Sequence, residues 1–105
     1  MVKERPPVDG LDGRQRMELA AVSGHAERML LALGRPADDQ AVAELRTLST
    51  DPVVYGVALG NELGAIDHDP DLWGHRRPMA DLYRACGADL DVAERQRAWR
   101  AAQRW

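Results

Sequence analysis

The chain has no phenylalanine, one cysteine and one lysine. Nor does it hold an apolar run near the ~20 residues that a membrane span requires. Each scarcity excludes something. Without phenylalanine, and with three tryptophans and two tyrosines, the core must be built mostly from aliphatic side chains. Cys86 alone cannot close an internal disulfide or form a thiolate metal site. The opening "MVKERPPVDG" carries charge and prolines with no apolar segment behind it, so it does not read as a signal peptide. These features together point to a cytoplasmic protein that does not enter a membrane. Lys3 is the sole lysine. Abundant arginine and alanine with so little lysine is the composition that a GC-rich bacterial genome produces, so single arginines carry little weight.

The net charge is -3. A mildly acidic chain exerts no overall attraction on nucleic acid or anionic lipid, which leaves only local basic patches to consider. At 105 residues there is room for one domain and one core. Hydrophobic residues at 45% and charged residues at 30% give the balance of a globular chain rather than a disordered one.

Apolar spacing predicts an all-α protein: a compact bundle of four or five short helices with a flexible N-terminal arm. Residues 1–13 read as the arm and 14–105 as the helical domain. A first helix spans about Arg14 to Leu33, with Leu19, Val22, Ala26, Met29 and Leu33 on one face. Met17, Ala21, Gly24 and Leu31 form a second apolar strip on roughly the opposite side. A surface helix needs only one such stripe, so this helix reads as central or as shared with a partner. Gly34 and Pro36 end it.

A second helix runs from about Pro36 to Leu48, with Ala37, Ala41, Leu45 and Leu48 as its apolar face. A third covers about Pro52 to Leu63, capped from "STD" with Pro52 in its first turn. "GAIDHDPDLWGHRR" reads as a loop, with Trp73 folded back onto the core. A fourth helix, about Pro78 to Cys86, puts Met79, Leu82, Tyr83 and Cys86 on one side, and Gly87 stops it. A fifth runs from Asp89 or Asp91 to the chain end, with Val92, Trp99 and Ala102 inward. "LAAVSGHAERMLLALG" is similar to the core of an ankyrin repeat, and "RACGADLDV" to the turn that closes one. Glu27 to Gly34 is too short for the second ankyrin helix, and the fragments are not one ~33-residue period apart. Nothing is carried over from that likeness.

Four features bear on function. In "DPVVYGVALGNELGAI", Gly56 and Gly60 sit inside the apolar face of the third helix, each costing about 0.8–1 kcal/mol of helix propensity. They mark a close approach, and the small residues Ala20, Ala21 and Gly24 of the first helix offer a matching strip. Gly64 reads as the residue that ends the helix. Met17, Ala21, Gly24, Leu31, Gly56 and Gly60 are therefore the candidate interaction residues, for a protein partner or a second copy.

The second feature is Arg97, Arg100 and Arg104 on one face of the last helix, with Trp105 beside them. Such a stripe suits phosphates and a stacked base, an alternative in which the protein is a small DNA-binding regulator. The third is Asp67, His68, Asp69, Asp71 and His75, whose alternating carboxylates and imidazoles suit a cation. Its D-x-D-x-D spacing departs from an EF-hand at Leu72, where glycine is needed, and at Pro78, where a bidentate glutamate is needed. The fourth is catalysis: His25 and Glu27 do not face each other on a helix, and no P-loop or Rossmann glycine pattern is present. No catalytic residue and no cofactor is assigned. The sequence favours a non-catalytic helical protein that acts through protein–protein interaction.

Overall fold

The fold is organised around one helix with almost no polar side. A computed structural model of the chain describes residues 5–103. In it α3 (Pro52–Ile66) is buried continuously from Val54 to Gly60, and again at Glu62, Gly64 and Ile66. A helix that is apolar on every side has to be enclosed, and four other helices enclose it. These are α1 (Gly13–Glu27), α2 (Asp39–Arg46), α4 (Arg76–Ala85) and α5 (Leu90–Ala102). No strand occurs among the described residues, so the all-helical expectation holds and "VVYGVAL" is helical.

Aspartates set where the helices begin. The side chains of Asp12, Asp38, Asp51 and Asp89 accept hydrogen bonds from the first-turn backbone N–H groups of α1, α2, α3 and α5. Each such cap contributes about 1 kcal/mol. This corrects the expected start of the second helix. Asp38 is its cap, so the helix starts at Asp39 and Pro36 lies in the irregular segment before it. The loop expected between the third and fourth helices is partly helical. A 3-10 turn at Pro70–His75 leads directly into α4 at Arg76, and Trp73 stays 53% exposed rather than folding onto the core. The first helix changes pitch at Arg28, and a π-helical turn over Arg28–Ala32 precedes Gly34, whose φ of 62° suits glycine at a helix end.

α1 is peripheral, not central. Val22, Ala26, Met29 and Leu30 face the core, with Tyr55, Leu82 and Tyr83 among the side chains they join. The second strip points the other way. Met17 is 76% exposed, Ala21 and Gly24 are exposed, and only Leu31 is half-buried against the core.

The glycine strip of α3 faces α5, not α1. A Cβ on Gly56 would lie 2.6 Å from the Asp89 carbonyl oxygen, and one on Gly60 would lie 2.6 Å from Gln96 Cβ and 2.7 Å from the Ala93 carbonyl oxygen. Gly64 does not end the helix, which continues to Ile66. A Cβ there would lie 2.6 Å from Arg100 Cγ. All three glycines thus serve one seam inside the chain, where missing side chains let two backbones meet and recover dispersion contact.

The expected arm is docked from Pro6 onward. Pro6 is buried, Pro7–Gly10 forms a 3-10 turn, and Leu11 packs with Val57 and Val92. The Val8 N–H donates to Gln96 Oε1 at 3.1 Å, and Gln96 Nε2 donates to Asn61 Oδ1 at 2.8 Å. Gln96, fully buried on α5, therefore clasps the N-terminal segment and α3 at once.

Candidate interaction groove

α4 and α5 both pack on α3 and hardly touch each other beyond the turn that joins them. Gly87, at φ 92°, makes that turn. The divergence opens a groove of about 440 Å³. Leu59 and Leu63 of α3 line its floor, joined by Ala80 from α4 and by Leu90 and Ala93 from α5. Leu90 is 46% exposed.

The walls follow from helical register. On α4, Arg77, Ala80 and Arg84 stand at three- and four-residue steps and form one stripe. On α5, Leu90, Ala93, Glu94 and Arg97 do the same. Arg76, Arg77, Arg84 and Arg97 line the groove, with Glu94 as the lone acid of the lining.

These arginines are not equivalent. Asp67 holds Arg97 through two hydrogen bonds of 2.8 and 2.9 Å and reaches Arg76 at 3.3 Å. The Arg97 guanidinium, ahead of Arg76, keeps the Asp67 carboxyl below its ordinary range. Arg76 also lies 5.9 Å from the Trp73 ring centre. Arg77 only approaches Asp81, at 4.0 Å, from a fully solvated position. Arg84 has no ion-pair partner among the described residues.

A second cluster lies where α1, α3 and α4 meet. Glu62 is only 8% exposed. Burial raises its pKa to about 8, the facing Glu27 carboxylate adds to the rise, and Arg100 opposes it. The Tyr83 hydroxyl is buried beside them and has no hydrogen-bond partner among the described residues. Burial first, then the charges of Glu62 and Glu27, hold its pKa well above the ordinary tyrosine value.

The candidate residues read from sequence fall in several places. Gly56 and Gly60 are covered by α5, whereas Met17, Ala21 and Gly24 face outward and meet no part of the glycine seam. Arg97 and Arg100 lie on the inner side of α5: Arg97 is bound to Asp67, and the Arg100 stem covers Gly64. Arg104 and Trp105 lie outside the described residues. The inner face of α5 is therefore Val92, Ala93, Gln96, Arg97 and Arg100, while Trp99 is half-buried and Ala102 exposed.

In the acidic loop, Asp67 serves the two arginines and Asp69 caps the 3-10 turn through the Asp71 N–H. His68 Nε2 is buried without a partner among the described residues, and His75 is half-buried. Among the described residues no three His, Cys, Asp or Glu side chains come together as a metal would need. His25 reaches a different carboxylate from the one beside it in sequence. Its Nε2 is 3.2 Å from Glu44, which Arg35 also binds. The Arg35 hydrogen bond, with His25 adding less, holds Glu44 at about 2. Cys86 is buried, and burial pushes its thiol pKa up, the setting of a core residue rather than a nucleophile.

The chain matches none of the protein-family models, curated proteins or solved structures with which it was compared. The groove is not legible in the sequence. Arg77, Ala80 and Arg84 are legible as a stripe, but nothing in the spacing says that α5 stands across from them.

Proposed function

We propose that the protein is a non-catalytic binding module that takes a helical segment of a protein partner into the groove between α4 and α5. The observation that carries this is the exposed apolar floor. Met17, Leu33, Trp73 and Leu90 are all exposed, but Leu90 alone of these lines this concavity, beside half-buried Leu63 and Ala80. Apolar surface left in a concave site with polar edges is the ordinary signature of a recognition site. Its length supports a helix as occupant. Leu90 to Arg97 spans about 10 Å of α5, roughly two helical turns, which matches the i, i+3, i+7 anchors of a helix seated in a groove.

The test is selection of a displayed library of helical peptides against the whole protein, with Leu90→Glu as the counter-target. Glutamate suits the first turn of a helix, so this variant folds while placing a charge on the groove floor. Peptides that bind the parent and lose the Leu90→Glu variant support the reading. Enrichment only of peptides indifferent to Leu90 overturns it. Sedimentation equilibrium on the free protein separates a foreign partner from a second copy, since self-association through this groove is also lost in Leu90→Glu.

A further inference from the structure

We propose that the segment seated in this groove is an acidic amphipathic helix bearing two carboxylates seven residues apart, one for Arg77 and one for Arg84. The inference rests on the groove being a helix-binding site and adds the chemistry of its occupant. It begins from the distribution of charge. Four guanidinium groups and one carboxylate line an otherwise apolar concavity, in a chain whose net charge is -3. The local excess of positive charge therefore runs against the charge of the whole molecule.

Two of the four guanidiniums already have a carboxylate. Arg97 and Arg76 share Asp67, so both are fixed and partly neutralised at one end of the groove. Arg77 and Arg84 differ. One meets Asp81 only at 4.0 Å, and the other has no carboxylate partner among the described residues. Both stand on the same face of α4, about 10.5 Å apart along its axis. A carboxylate offered to either would make charge-assisted, bidentate hydrogen bonds. On a bound helix the matching pair of acids lies at i and i+7, with the apolar side chains between them directed at Leu63, Ala80 and Leu90. Glu94, on the opposite wall, repels an acid there and so sets which side of the guest helix is acidic.

The apolar floor separates this occupant from nucleic acid, whose phosphates would meet the arginines but leave the leucines uncovered. It also separates it from a basic helix, which four guanidiniums repel.

The experiment uses the Leu90-dependent binders from the displayed library and measures their affinity for the full chain by fluorescence anisotropy. Acids enriched at an i, i+7 spacing are the expected outcome. Replacing both acids by lysine then weakens binding at least tenfold. The double variant Arg77→Glu/Arg84→Glu, with circular dichroism unchanged, loses the acidic peptide and recovers the lysine peptide. Raising the salt concentration weakens the matched pairs and spares peptides bound only by their apolar face. Leu90-dependent binders with no charge preference, or without that exchange of partners, overturn the inference while leaving the groove reading intact. Competition by a single-stranded oligonucleotide that persists in Leu90→Glu but disappears in the double variant also overturns it, in favour of a nucleic-acid partner. Selection yielding no Leu90-dependent binder removes the groove reading itself.

Discussion

Gly60→Ala sets helix propensity and packing against each other. Alanine is the best helix former, so an interior glycine replaced by alanine gains about 0.8–1 kcal/mol where nothing else changes. At Gly60 something does. The new methyl would meet Gln96 Cβ at 2.6 Å, the Ala93 carbonyl oxygen at 2.7 Å and the Arg97 nitrogen at 3.0 Å. Two of the three are backbone atoms and cannot rotate aside. Carbon atoms pack at about 3.5–4.0 Å, so α3 and α5 must part locally by about 1 Å. A gap of that size forfeits a quarter to a half of each contact's dispersion energy, and overpacking of this kind costs about 1–3 kcal/mol.

The net expectation for Gly60→Ala is a loss of about 0–2 kcal/mol, and so about 1–3 kcal/mol less stability than a glycine-to-alanine change that meets no obstacle, with about 4–8 °C of melting temperature for each kcal/mol. Gly24 on α1 is the internal control. It is exposed, helical and has no atom within 4 Å of an added Cβ, so Gly24→Ala keeps the whole propensity gain and melts higher than the parent. Thermal unfolding followed by circular dichroism measures both. A Gly60→Ala protein as stable as Gly24→Ala would refute the close seam between α3 and α5.

The acid–base behaviour gives a second expectation. The folded Glu62 keeps its proton to about 8, whereas its ordinary value is 4.5. The folded state therefore binds more protons across that window, and stability falls as the pH rises through it. Glu62→Gln flattens this limb of a melting temperature versus pH curve and is more stable than the parent at alkaline pH; an equally steep limb in the variant would show that Glu62 is not its source. Glu44 acts in the opposite direction. Its folded value is about 2 against 4.5, so the stability from its contacts is complete above 4.5 and is lost as the pH falls toward 2. Glu44→Gln reduces that acid-side loss in the same scan. Finally, Gln96→Leu removes the acceptor of the Val8 N–H and the donor to Asn61. Each lost hydrogen bond costs about 0.5–1.5 kcal/mol, and faster hydrogen exchange at the Val8 amide is the result to look for. Unchanged exchange there would mean that the segment is held by Leu11 alone.

Local spacing is enough to show that the chain is helical and to place its helices along the sequence to within a few residues. Leu19-to-Leu33 periodicity, the cap candidates before α3 and α5, and the Gly34 and Gly87 stops act within one or two turns, so local physics reads them without knowledge of the fold, whereas the caps at Asp12 and Asp38 came from the structure. The sequence also determined that Gly56 and Gly60 lie at a close contact, because two interior glycines on an apolar face require one. Which helix fills that contact was decided in three dimensions. The small residues of α1 suit the glycines as well as α5 does when sequence alone is read. α1 and the π-helical turn after it spend their inward side chains, Val22, Ala26, Met29 and Leu30, on the main core with Tyr55, Leu82 and Tyr83, and α5 is left to meet the glycines. The same holds for the candidate site. Arg97 and Asp67 are 30 residues apart, and Glu62 meets Glu27 and Tyr83 from three different helices. No periodicity encodes such pairs, since charge and burial act through space. The groove is the clearest case: its stripes are written along α4 and α5, but its existence depends on the angle at which those two helices leave α3.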